Sequence, residues 1–167
     1  MLILGIDPGS GSTGYGVVEC RAGRLRAVAQ GTIEPPPHLA FLLRLPHIAA
    51  AIEALVRRVA PEGAAIEDVF HARNSRVALQ LGHVRGAALL PVLQAGVPIF
   101  GYSPRLVKKA VTGSGAAEKD QVRRMVRLLL GLGDAPLPLD ASDALAVAIC
   151  HAHSVPYQRI REAAARL

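Results

Sequence analysis

With 167 residues, 51% of them hydrophobic and 19% charged, the chain is long enough for one buried core and too apolar to be disordered. Lys and Arg number 19 against 13 Asp and Glu, a net of +6 with a pI near 10.0, which favours a polyanionic partner such as DNA or RNA. No apolar run is long enough to span a bilayer, and the start, which meets Asp7 without a basic stretch, does not read as a signal peptide. Cys20 and Cys150 stand far apart without metal-ligand spacing, so free thiols and a cytoplasmic location are expected.

The segment LILGID (2–7) is a short apolar run ending in turn residues and reads as a strand buried on both faces. PGSGST (8–13) is a turn, GYGVVEC (14–20) returns as a second strand, and RLRAVAQGTI (24–33) alternates as a third, making an antiparallel meander. Helical spacing follows over 39–59, with Pro46 suggesting a break or kink. AAIEDVF (64–70) is a further buried strand. A helix is expected over 74–96, disturbed near Gly86 and Pro91, and VPIFGY (97–102) is another strand. Ser103 and Pro104 form an N-cap and first-turn pair ahead of a helix. Helices are also expected over 116–132 and 140–153, with DAPLPL a loop between them and the chain from Val155 amphipathic at best. Three strands followed by strand–helix units predict an α/β domain over 2–155 with a tail at 156–167, built on a mixed five-stranded sheet with helices on both faces.

Charge is unevenly spread. Between Arg105 and Arg127 lie seven basic residues (Arg105, Lys108, Lys109, Lys119, Arg123, Arg124, Arg127) against Glu118 and Asp120, and all three lysines of the chain fall there. Such a stretch suits a surface that follows a phosphate backbone.

Two acids sit where propensity would not put them. Asp7 ends the first strand and Glu67 lies within the fourth, and burying an ionised carboxylate without a partner costs several kcal/mol. Asp140 and Asp143 are three apart and share a helix face near its N-terminus. Capping chemistry accounts for one aspartate there, whereas a strand ending beside that helix would gather all four carboxylates. Such a cluster calls for a hard divalent cation: Mg²⁺ suits oxygen ligands, and two ions can clamp a phosphodiester displacement.

The glycine-rich turn DPGSGSTGYG lacks the Gly-Lys-Ser/Thr ending of a P-loop and has no following helix. Positive φ at Gly9, Gly11 or Gly14 in a tight hairpin explains most of its glycines. An actin-like ATPase, with Asp7 positioning Mg²⁺-nucleotide, is a rival reading, although such folds need a second domain. A non-catalytic DNA-binding module is another. His151 and His153, two apart, do not share a helix face and are weak candidates as ligands.

GIDPGSGSTGYGVV, AIEDVFHARNSRVALQLGHVRG, GSGAAEKDQVRRMV and DASDALAVAICHAH, in this order over residues 2–153, together resemble the RuvC family of Holliday junction resolvases. The resemblance implies a ribonuclease H-like fold, a homodimer, a four-way DNA junction as substrate, and a branch-migration complex of RuvA and RuvB type as partner. It places the four catalytic and metal-binding acids on Asp7, Glu67, Asp140 and Asp143. Two Mg²⁺ ions bridged by Asp7 are implied, with Mn²⁺ a possible substitute, and products with 5′-phosphate and 3′-hydroxyl ends. Lys108, Lys119 and Phe70 match family positions near the DNA. A second family aromatic has no counterpart here; Arg76 lies nearby instead. Lys109 and Arg123 of the basic stretch complete the expected DNA contacts. The helix at 74–96, apolar at Leu79, Leu81, Val84, Ala87 and Leu90, is a candidate dimer seam. A ribonuclease H-like nuclease acting on an RNA–DNA hybrid is the remaining alternative.

Overall fold

The computed structural model describes residues 1–68 and 74–164, with side chains as far as residue 155. Three strands lead: β1 (Leu2–Pro8), β2 (Thr13–Arg21) and β3 (Arg24–Ile33). They are followed by α1 (Phe41–Val59), β4 (Gly63–Glu67), α2 (Ser75–Gln94), β5 (Ile99–Tyr102), α3 (Pro104–Thr112), α4 (Lys119–Leu130) and α5 (Leu139–Ala164). The sheet order is β3-β2-β1-β4-β5. β1 pairs antiparallel with β2 and parallel with β4, β2 pairs antiparallel with β3, and β4 pairs parallel with β5. The mixed five-stranded sheet expected from the meander and the strand–helix units is therefore present.

Helices cover both faces, and the pleat decides what each face sees. Leu4, Ile6 and Val17 turn toward α1 and α2 and pack with Ile48, Ile52, Leu55, Val84, Ala88 and Val92. Ile3, Val18 and Ala65 turn the other way, into a cluster with Val107 of α3, Val126 of α4 and Leu145 and Ile149 of α5. Alternate side chains of one strand point to opposite faces, so β1 needs apolar residues at nearly every position, and Ile3, Leu4 and Ile6 have no exposure.

Several local expectations are corrected. α1 runs through Pro46 and α2 through Gly86 and Pro91 without interruption. Each proline removes one helical hydrogen bond, and the buried faces of both helices outweigh it. β4 runs Gly63–Glu67 and Asp68 lies beyond it, while positions 69 and 70 of the expected strand lie outside the described residues. α4 starts at Lys119 rather than 116, because Glu118 and Gln121 form a capping box there. α5 begins at Leu139 and continues to Ala164, beyond the expected end at 153. The Ser103–Pro104 start of α3 is as expected, with the Ser103 side chain accepting from the Leu106 amide.

The hairpin glycines work differently from the reading of positive φ. None of Gly9, Gly11 and Gly14 has positive φ. Gly14 is needed for space: a Cβ there would run into the backbone carbonyl of Asp140. Gly5 stands likewise against the Ala144 carbonyl, and Gly16 against Leu145. Together the three make a smooth track on β1 and β2 along which α5 lies close to the sheet.

Candidate active site

The track brings the start of α5 beside the C-terminal end of β1. Asp7 is the penultimate residue of β1 and pairs with Gly14; Glu67 is the last residue of β4, the parallel neighbour. Asp140 and Asp143 lie in the first two turns of α5. Asp7, Glu67 and Asp143 line one cleft of about 180 Å³, together with Pro104, Val107 and Lys108 of α3, Lys119 and Val122 of α4, and Ala146 of α5. Such a cleft sits outside the carboxyl ends of parallel strands, where open α/β sheets collect their ligands.

The electrostatics are those of crowded acids. Burial, followed by the charges of Asp143, Asp140 and Glu67, pushes the Asp7 carboxyl from 3.8 up to about 7. Burial and the charge of Asp143 also raise Glu67. Lys119 holds its proton more tightly than usual, chiefly through Asp143, and its ammonium stands 3.4 Å from that carboxylate. Asp7 and Glu67 thus depart in the direction expected of desolvated, crowded acids whose charge the nearby lysines only partly offset.

Asp140 stands slightly apart. Its carboxylate accepts a hydrogen bond from the Ser12 hydroxyl across the hairpin, and it is not among the residues lining the cleft. Capping does not describe this pair: α5 starts one residue before Asp140, and the two carboxylates are engaged by Ser12 and Lys119. Among the described residues, no three His, Cys, Asp or Glu side chains are placed to chelate one ion as they stand.

Of the expected DNA contacts, Lys108 and Lys119 line the cleft. Lys109 is exposed on α3, and Arg76 is exposed at the second position of α2. Arg123 is half-buried, and its guanidinium donates to the Leu137 carbonyl at 2.7 Å, tying α4 to the loop ahead of α5. Phe70 lies outside the described residues. His151 is buried away from the cleft, its Nδ1 2.6 Å from the Tyr102 hydroxyl and its ring against Phe100. His153 is exposed and meets the Ala110 carbonyl. Three residues at the site escape a reading by motif: Ser12, which holds Asp140, and Asp68 and Arg85, which meet at the end of β4. A second acid directly after Glu67 was the available signal for the last pair.

No helix among the described residues is long and apolar enough to cross a membrane. The model of the family described as crossover junction endodeoxyribonuclease RuvC matches residues 3–151. A relative of that name from Moorella thermoacetica is 48% identical over 167 residues, covering 99% of this chain and all of that protein. One from Syntrophomonas wolfei is 46% identical over 165 residues, covering 99% of this chain and 96% of its own. Among solved structures, Thermus thermophilus RuvC in complex with a Holliday junction substrate superposes with a TM-score of 0.88 at 36% identity, covering 95% of this chain and 96% of that one. The yeast mitochondrial Holliday junction resolvase Ydc2 shares the fold, with a TM-score of 0.63 at 11% identity. The chain belongs to the RuvC family of crossover junction endodeoxyribonucleases.

Proposed function

We propose that this protein is a structure-selective endonuclease that resolves four-way DNA junctions by paired, symmetric hydrolysis of phosphodiesters, leaving 5′-phosphate and 3′-hydroxyl ends, in recombination and repair. The observation that carries the reading is the meeting of Asp7, Glu67 and Asp143 in one cleft with Lys108 and Lys119 at its wall.

The donor set fits a divalent cation. It consists of hard carboxylate oxygens, it carries more negative charge than Lys119 offsets, and Asp7 retains a proton up to about pH 7 in the absence of a better counter-charge. Asp7, Glu67 and Asp143 would hold Mg²⁺, with Asp140 joining on release from Ser12; two ions are the expected number and Mn²⁺ a possible substitute. Bound there, Mg²⁺ would supply Lewis-acid neutralisation of charge at the scissile phosphate and at the entering and departing oxygens. Lys108 and Lys119, at the mouth of the cleft, bind the phosphate flanking the cut. Lys109 and Arg76 extend a basic track for the junction arms, while Arg123, held by Leu137, shapes the wall from which that track projects. Phe70 follows Glu67 closely in sequence and completes the set at the junction centre.

A homodimer supplies the second cleft that symmetric cutting requires. The face of α2 exposed at Leu79, Leu90 and Leu93 is where the second copy docks, whereas Val84 of the expected seam packs into the chain's own core. The cytoplasm provides both the DNA and a RuvA and RuvB type branch-migration complex as working partner.

The test is a comparison of a synthetic four-way junction, a plain duplex and an RNA–DNA hybrid, each with Mg²⁺ or Mn²⁺. Paired nicks are expected in the junction alone. Asp7→Asn should lower the cleavage rate by on the order of 10³-fold, about 4 kcal/mol of transition-state stabilisation, while junction binding in a gel-shift assay persists. Wild-type cutting by Asp7→Asn would overturn the assignment.

A further inference from the structure

The end of β4 is fastened from an unexpected direction. Arg85, half-buried in the middle of α2, sends its guanidinium to the strand: Nη1 donates to the backbone carbonyl of Glu67, and Nη2 lies 3.2 Å from Oδ1 of Asp68. Asp68 is itself bound to β5, since its amide donates to the Tyr102 carbonyl at 2.8 Å. Its carboxylate also lies flat against Gly101, where an added methyl group would collide with it. One arginine therefore joins α2 to β4 at the residue that carries a candidate metal ligand, and through Asp68 to β5.

We propose that Arg85 is a positioning residue for the cleavage reaction, fixing the backbone at Glu67 so that its carboxylate stays in the cleft, and cancelling the charge of Asp68 beside it. The proposal rests on the reading of Glu67 as a metal ligand. Two physical arguments support it. Glu67 is the last residue of β4, and while the Asp68 amide ties the chain to β5 on one side, the Glu67 carbonyl itself is held by Arg85 from α2. Asp68 is a fifth carboxylate next to a group of four, and the Arg85 guanidinium sets a cation against it at 3.2 Å. An arginine fork can hold a carbonyl and a carboxylate together; a lysine ammonium cannot reach both in the same geometry. Groups that orient metal ligands in this way alter metal affinity by about 10–100-fold when removed.

The experiment uses the full chain with Arg85→Met, Arg85→Lys, Asp68→Asn and the double variant Arg85→Met/Asp68→Asn. Three quantities are read: the Mg²⁺ concentration giving half-maximal cleavage of a synthetic junction, junction affinity without metal, and hydrogen exchange of the Asp68 amide. Arg85→Met should raise the half-maximal Mg²⁺ concentration about tenfold and speed Asp68 exchange, with metal-free junction affinity unchanged. Arg85→Lys should recover only part of the Mg²⁺ response. The double variant, lacking the unpaired charge, should recover part of the Mg²⁺ response but none of the exchange protection. Wild-type Mg²⁺ dependence together with wild-type Asp68 exchange in Arg85→Met would overturn the proposal. If that variant does not fold, Gly101→Ala, which keeps every charge and displaces the Asp68 carboxylate, must raise the Mg²⁺ requirement, and the proposal fails if it does not. Glu67→Gln is the control for the underlying reading. If it cuts normally, the ligand assignment has failed, whereas a dead Glu67→Gln beside an unaffected Arg85→Met removes the latch alone.

Discussion

The two faces of the sheet are built on opposite principles. Toward α1 and α2, the strands present Leu4, Ile6 and Val17, and the helices answer with Ile48, Ile52, Leu55, Val84 and Val92, a layer of large side chains holding the backbones apart. Toward α5, the same two strands present Gly5, Gly14 and Gly16, and the helix answers with its own carbonyl groups at Asp140 and Ala144. One face maximises apolar volume, while the other gives up volume to let a helix backbone come near. The lesson is that close approach is what delivers Asp140 and Asp143 to Asp7.

The comparison breaks most sharply at Gly14. A methyl group there meets the Asp140 backbone rather than a yielding side chain, so Gly14→Ala should destabilise the fold by about 2–3 kcal/mol. In the molecules that still fold, it should push the first turn of α5 out of register, with junction cleavage falling about 100-fold. Thermal melting and single-turnover cleavage check the two parts. A variant that melts as wild type and cuts at full rate would mean that the glycine track does not set the site.

A smaller effect follows from the acids that this face brings together. Burial and the neighbouring acids push Asp7 up to about 7 when folded, against an ordinary value of 3.8, so between those values the metal-free folded chain holds a proton that the unfolded chain has lost. Its stability is therefore greatest below about pH 4 on this account and declines as pH rises through 7. Burial of Glu67 acts in the same direction. At pH 8 without metal, Asp7→Asn should raise stability by about 1–3 kcal/mol, a Tm gain of several degrees. Saturating Mg²⁺ should stabilise the wild type by binding only the folded form. A Tm for Asp7→Asn below that of the wild type at pH 8 would contradict the crowding of charge.

The smallest change is expected on the other face. Ile52→Val removes one buried methylene and should cost about 0.5–1.5 kcal/mol, measured by urea unfolding, with kcat on the junction unchanged. Loss of cleavage in that variant would mean that the two faces are not independent.

Much of this arrangement was legible in the sequence. The element order follows from period-2 and period-3.6 patterns, and β3 and the capped start of α3 fall where the alternation and Ser103–Pro104 put them. The four acids stood out because two lay in apolar strands. What could not be read depended on contacts distant in sequence. The purpose of Gly5, Gly14 and Gly16 is visible only with α5 laid against them. Pro46 and Pro91 suggested kinks because local propensity does not register the buried face that each helix keeps. Asp140 looked like a cap until Ser12, on a different element, proved to hold its carboxylate. Arg85 carried no motif, and its importance arises from where α2 crosses the end of β4.

The Ser12–Asp140 bond spans 128 positions of the chain, and the strand bearing Asp7 is synthesised well before α5. A ribosome-bound fragment thus carries half of the acids with nothing to bring them to the rest. A chain stopped before α5 lacks Asp140 and Asp143 and the helix that seats on the glycine track.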